Sequence, residues 1–206
     1  MRVIKVSGHQ LDDEGFVERF AAAVAGIAAR EQVVVVNGGG KSIKALQDVL
    51  GLEERKIDGL RVTDAESLMV TEMVMSAQIN KLVVRALIGA GLDAVGLSGE
   101  DGRLLVAQKK ISSKGDLGFV GEIVGVRSEL LLSLGELGLT VVVSPVSCDG
   151  DGQHYNVNAD EAATAIAAAL EADQLDFVSN VPGVLYDLGD AEPIAELTPD
   201  AVESLK

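Results

Sequence analysis

"VVVVNGGGKSI", Val33 to Ile43, decides the fold. An unbroken valine run ends in three glycines, and apolar residues resume behind them at helical spacing: Ile43, Leu46, Val49 and Leu50. That is a buried strand, a tight turn and a helix start. The turn imitates two phosphate-binding loops and matches neither. A P-loop needs a glycine five places before the one that precedes its lysine, and Val35 stands there. A dinucleotide fingerprint would put its third glycine at Ile43. Glycines in such a turn still let the backbone approach a ligand, and the N–H groups of a helix start favour an anion. On this stretch alone, an anion site and a ligand-free turn both stay open.

Working outward, "RVIKVS" from Arg2 reads as a short buried strand, and "EGFVERFAAAVAGIAAREQ" as an amphipathic helix with Phe16, Phe20, Val24 and Ile27 on one face. Strand, helix, strand, helix opens an α/β layer with parallel neighbours. After "RKIDGLRV", whose Asp58-Gly59 marks a hairpin-like turn, Thr63 is placed to cap a helix with Glu66 reaching back. Recurring apolar pairs extend that helix to about Ala90, and its methionines read as core or subunit interface. "LDAVGLSGEDGRLLVAQK" predicts strand, turn and strand, "LGFVGEIVGV" a further strand pair, and together a projecting antiparallel sheet. "SELLLSLGELG" predicts a helix, "LTVVVSPV" a core strand, and "NVNADEAATAIAAALEA" a small-residue helix capped by Asn158 with Glu161 as its partner. "LDFVSNVPGVLYD" reads as a strand, a Pro-Gly turn and an extended return, and "TPDAVESLK" starts a last helix.

The 206 residues, 48% of them hydrophobic, can bury a substantial core. Lys and Arg number 17 against 32 Asp and Glu, and the resulting net charge of -15 has the wrong sign for a phosphodiester backbone or an anionic membrane. No apolar run approaches the roughly 18 residues that span a bilayer, and no signal-peptide pattern follows Met1. The one cysteine, Cys148, suits a reducing compartment. A cytoplasmic protein with no nucleic-acid or membrane partner is expected.

Four places carry polar residues that an α/β core does not require. Lys5 lies in the first strand at the end that opens into Gly8; alone, a snorkelling lysine is the simpler reading. Gly38 to Gly40 occupy the corresponding end of the next parallel strand, where open α/β sheets collect ligands. Arg61 can fork onto a carboxylate or sit on the surface. Asn156 and Asp160 stand four apart at a helix start, within one turn. The set contains no candidate catalytic triad or zinc cluster, and His9 and His154 do not argue for a metal. A lysine, glycine-turn N–H groups, an arginine, an amide and an organising carboxylate are what phosphoryl transfer asks for, because its catalysis is positioning and charge stabilisation.

In order along nearly the whole chain, "IKVSG", "VNGGGKSI", "DGLRVTDAE", "NKLV", "AVGLSGEDG", "DLGFVGEI", "VVSPV", "YNVNADEAA" and "SNVPGVL" resemble the amino-acid kinase family, and within it the members that phosphorylate N-acetylglutamate in arginine biosynthesis. The resemblance implies a three-layer αβα open sandwich with a central, mainly parallel sheet. It implies an N-terminal lobe for the amino-acid substrate, residues 1–172, and the start of a C-terminal ATP lobe at 173–206. The ligands implied are N-acetyl-L-glutamate and MgATP, with no resident metal.

Carried over by motif, Lys5 stabilises the transferring phosphoryl group and Asp160 orients the catalytic lysines. Gly8 and Gly38 to Gly40 donate backbone N–H groups, and Arg61 and Asn156 hold the substrate. Asn180, Val181, Gly183, Val184 and Leu185 fall on the nucleotide-binding turn.

Three positions depart from the family pattern: Ser7 stands for a glycine, Asn37 for a histidine and Asn180 for an aspartate. Relatives also continue past Lys206 with a second phosphate-binding lysine, so an incomplete ATP lobe is expected. A first strand beginning at Arg2, without a preceding helix, implies an arginine-insensitive homodimer. The alternatives are a kinase acting on aminoadipate or glutamate held by a small acidic carrier protein, and a non-catalytic ligand-binding homologue.

Overall fold

The computed structural model of the chain describes residues 1–57, 60–181, 183–185 and 192–198, the side chains of Leu60 and Arg61 excepted. Five parallel strands form its central sheet in the order β11-β1-β2-β8-β5: Gln174–Val178, Arg2–Val6, Val33–Asn37, Thr140–Ser144 and Ala94–Ser98. Successive side chains point to opposite faces. Val33 and Val35 therefore enter one core with Phe20, Val24, Val74 and Leu87, while Val34 and Val36 enter the other with Leu131, Ala163 and Ile166. Helices cover both faces, which is why β2 reads as continuous valine rather than as an alternation. The layers are αβα, as expected.

Helix α1 (Glu14–Ala28) and the long helix that begins at Ala65 cover the first face. Helices α5 (Ser128–Glu136) and α6 (Ala159–Ala169) cover the second. On α1, Phe20 and Val24 are buried and Phe16 stacks on Phe20 with ring centroids 6.0 Å apart. Helix α2 (Gly40–Leu50) buries Ile43 and Gln47, whereas Val49 and Leu50 are 81% and 52% exposed. The apolar face expected there thus turns partly outward, because Gln47 packs inward to donate to Ser67 Oγ at 2.9 Å.

The long helix is continuous in three parts: α3 (Ala65–Glu72), a π-helical segment (Met73–Ile79) and α4 (Asn80–Gly89). Its cap is Asp64, not Thr63. The Asp64 carboxylate accepts from Ser67 N at 2.8 Å, and that bond holds it below the usual aspartate range. At α6 Asn158 does cap, accepting from Asp160 N and Glu161 N, while the Glu161 carboxylate pairs with Lys110 instead of reaching back.

The middle region departs from expectation. β6 (Leu105–Lys109), β7 (Val120–Val126), β9 (Ser147–Cys148) and β10 (His154–Val157) close into a small barrel instead of projecting as a sheet. "LGFVGEIVGV" holds one strand, not a pair: the register jumps from Val106↔Gly125 to Ala107↔Ile123, leaving Val124 as a bulge that bends β7 into the ring. The hairpin β3 (Arg55–Ile57) and β4 (Leu60–Val62) forms as expected, its Asp58-Gly59 turn lying outside the described residues. Pro182 and the expected final helix, beyond Thr198, also lie outside them. No helix among the described residues is long and apolar enough to cross a membrane.

Thr63 joins these parts. It bridges Gly118 in parallel, its N–H donates to Leu117 O and its carbonyl accepts from Phe119 N. Gly118 has φ 68°, and a Cβ there would lie 2.2 Å from Thr63 O. Backbone cannot retreat from such a clash, and the φ itself disfavours an L side chain. Gly118→Ala should therefore lower stability by about 3 kcal/mol, read as a lower urea midpoint with unchanged m.

Candidate active site

β1 and β2 run side by side in parallel, with Lys5 opposite Val36 and Val6 opposite Asn37. Their C-terminal turns must touch. Gly38 N donates to Val6 O at 2.8 Å, and a Cβ on Gly8 would lie 2.6 Å from Gly39 Cα. A Cβ on Gly39 would lie 2.3 Å from Met75 Sδ, a collision with the π-helical segment. These glycines are required by close approach and not by conformation, since Gly39 has an extended φ of -169°. Helix α2 then starts at Gly40, with no side chain capping it, so its N-terminus opens onto the cleft between the two turns and α6.

Lys5 shares its face of β1 with Val3, which lies in the core against α6. Its ammonium reaches the first turn of that helix and pairs with Asp160 Oδ1 at 2.8 Å. The Lys5 side chain is 13% exposed and that of Asp160 55%, so the carboxylate holds the ammonium from the solvent side. Asn156 is on β10 and not on the helix as its spacing suggested, because β10 ends at Val157 and Asn158 is the cap. Its Nδ2 donates to Thr63 Oγ1 at 3.1 Å. The cleft so formed contains Lys5, Gly8, Gly38 to Gly40, Asn156 and Asp160, and among the described residues its titratable side chains are Lys5, His9 and Asp160. A single ammonium, two glycine turns and a helix N-terminus converge there. Such an arrangement is chemically suited to stabilising a transferring phosphoryl group.

Compared with known families, residues 1–205 match the amino acid kinase family. The chain belongs to the amino acid kinase family. It is 48% identical over 203 residues to the acetylglutamate kinase of Roseiflexus castenholzii, covering 98% of this chain and 76% of that protein. To the acetylglutamate kinase of Geobacillus kaustophilus it is 46% identical over 206 residues, again 98% and 76%. A solved Streptococcus mutans protein superposes with a TM-score of 0.83 at 26% identity, over 98% of this chain and 80% of that one. The Neisseria gonorrhoeae N-acetylglutamate synthase shares the fold, with a TM-score of 0.84 at 22% identity over 99% of this chain and 46% of that one.

Other residues singled out in the sequence have different placements. Arg61 is on β4 opposite Lys56, and its side chain lies outside the described residues. Asn180, Val181, Gly183, Val184 and Leu185 follow β11, whose pairing with β1 puts them beyond the same sheet edge as Lys5. None of the five lines the cleft, and Val181 and Val184 are exposed. Ser7 lines the cleft, while Asn37 is fully buried beneath it. Conversely, His9, Met75 and Thr63 were missed as site residues. His9 adjoins Gly8 in sequence and was legible from that; Met75 is delivered by a π segment that helical spacing does not reveal.

On the Asn156 face of β10, His154 Nδ1 lies 3.2 Å from Glu72 Oε2 and 3.7 Å from Glu100 Oε1. Burial, then the Glu72 charge, pushes the Glu100 carboxyl above its ordinary value, and His154 partly opposes this. The folded chain thus holds this proton more tightly than the unfolded one, so stability falls as pH rises through the raised value. Glu100→Gln removes that penalty. It should raise the urea midpoint at pH 7.5, with the gain shrinking as the pH is lowered through the ordinary glutamate value of about 4.3, below which Glu100 becomes protonated in both states.

Proposed function

We propose that this chain uses ATP to phosphorylate the side-chain carboxylate of N-acetyl-L-glutamate, forming an acyl phosphate and ADP as a step of arginine biosynthesis in the cytoplasm. The observation that carries the reading is the Lys5–Asp160 pair set against the touching glycine turns. It is supported by the acetylglutamate kinases that match nearly all of the chain.

The acceptor carboxylate is ionised at neutral pH, so the reaction needs no general base, and none is paired with a nucleophile in the cleft. Lys5 neutralises charge on the phosphoryl group in flight, and the N–H groups of Gly8, Gly39 and Gly40 hold its oxygens; that of Gly38, expected to join them, is committed to Val6 O. Asp160 keeps Lys5 aimed and lets its ammonium sit in a partly dry site. Because Asn156 Nδ2 faces Thr63, its amide oxygen is left to accept the acetamido N–H of the substrate. Arg61 takes the α-carboxylate. Asn180, Val181, Gly183, Val184 and Leu185 receive the nucleotide, with residues 1–172 as the acceptor lobe and 173 onward as the beginning of the ATP lobe. Mg2+ accompanies the nucleotide. It would neutralise phosphate charge and would be held chiefly by phosphates and water, which fits a cleft whose one carboxylate among the described residues, Asp160, is already engaged.

ADP release with MgATP should occur with N-acetylglutamate and not with glutamate, aspartate or carrier-bound aminoadipate. Lys5→Met should lower kcat by about 100-fold or more with little change in KM, since the ammonium acts on the transition state. Preference for the carrier-bound substrate, or an unchanged kcat in Lys5→Met, would overturn the reading. We also place a homodimer contact on the outward face of the long helix, where Met69 and Met73 are 54% and 43% exposed. Light scattering should give twice the chain mass, falling to the monomer on Met69→Glu.

A further inference from the structure

We propose that Asn80 is a positioning residue for phosphoryl transfer, acting through Asn37 on the glycine turn; the kinetic part of this rests on the function proposed above. Both side chains are fully buried. Burying two amides there is costly unless every polar atom is matched, and leucine of similar size would fill the space without that cost.

The polarity of the pair is dictated from the sheet. Asn80 Nδ2 faces three oxygens: Val142 O on β8 at 2.9 Å, Leu97 O on β5 at 3.3 Å and Asn37 Oδ1 at 3.1 Å. Turned the other way, its oxygen would meet two carbonyls with no hydrogen to share. The Asn80 oxygen instead receives Lys81 Nζ at 3.0 Å, and the same ammonium donates to Gly96 O at 2.7 Å. Gly96 must be glycine for this, since a Cβ there would lie 1.9 Å from Asn80 Oδ1.

With its oxygen committed to Asn80, Asn37 can only donate through Nδ2, and it does so to Met75 O at 3.2 Å. That carbonyl also accepts the Asn80 backbone N–H, the i+5 bond of the π segment. Met75 is the residue against which Gly39 is pressed, and Asn37 is the residue that leads into Gly38. Carbonyls of two neighbouring strands thus set Asn80, which sets Asn37, which fixes the start of the glycine turn and the side chain packed against it. Fully satisfied buried networks of this kind rigidify what they join.

The test uses Asn80→Leu, Asn37→Leu, the double variant and Asn37→His, whose imidazole can both accept from Asn80 and donate to Met75 O. Two readouts are taken on the full chain: steady-state kinetics, and amide hydrogen exchange at Gly39 and Gly40, which reports the turn without requiring turnover. Each leucine variant should lower kcat about 10- to 100-fold with acceptor KM within about twofold, and the double variant should be no worse than the poorer single one. Exchange at Gly39 and Gly40 should quicken about tenfold or more while α6 amides keep their rates, and Asn37→His should restore both readouts. Unchanged exchange at the two glycines, or losses that multiply in the double variant, would overturn the proposal. If the parent chain shows no turnover, the kinase reading fails and the exchange rates alone decide the positioning role. Should the leucine variants not fold, Lys81→Met on the exposed side frees the Asn80 oxygen; unaltered exchange at Gly39 and Gly40 in that variant would equally overturn it.

Discussion

Two parallel strands end with their backbones in contact, Gly8 against Gly39, and the site is arranged around that contact. Parallel neighbours lie about 4.8 Å apart in the sheet, so turns leaving both ends together leave no room for a Cβ on Gly8, while Met75 crowds the same place on Gly39. The contact brings two sets of backbone N–H groups and the N-terminus of α2 to one edge. It also keeps bulky side chains out of the place where an anionic group must come within hydrogen-bond reach of backbone.

Everything else supplies charge and direction to that place. Lys5 reaches it because period-two alternation in β1 turns the side chain toward α6, and the Asn158 cap sets where the first turn of α6 begins. Asp160 in that turn meets the ammonium. The barrel contributes Asn156 and is tied to the long helix through Thr63, so the Asn156 amide and the Lys5 ammonium are held by one connected frame. Buried amides at Asn37 and Asn80 extend the frame beneath the glycines.

Much of the fold was legible because it rests on periodicity. Val33 to Val36 read as a buried strand, the α1 stripe gave its buried face, and the run from Ala65 to Gly89 read as one helix. The misreadings share a cause. Thr63 looked like a cap and is a bridge to Gly118, the "LGFVGEIVGV" pair is one bulged strand, and the expected projecting sheet is a closed barrel. Each depends on a partner far along the chain, which local pattern does not name.

The sequence by itself determined the α/β alternation, the strand ends at which polar residues collect, and the residue types fit for phosphoryl transfer: Lys5, the glycines at 8 and 38 to 40, Asn156 and Asp160. Only the tertiary structure decided that Lys5 meets Asp160, that Asn156 belongs to a strand and answers to Thr63, and that Met75 closes on Gly39. Period and propensity are properties of neighbouring residues and survive in the linear order. Pairing, close approach and the direction of a buried amide are set by contacts between distant segments, 155 positions apart from Lys5 to Asp160, and exist only once the layers are packed.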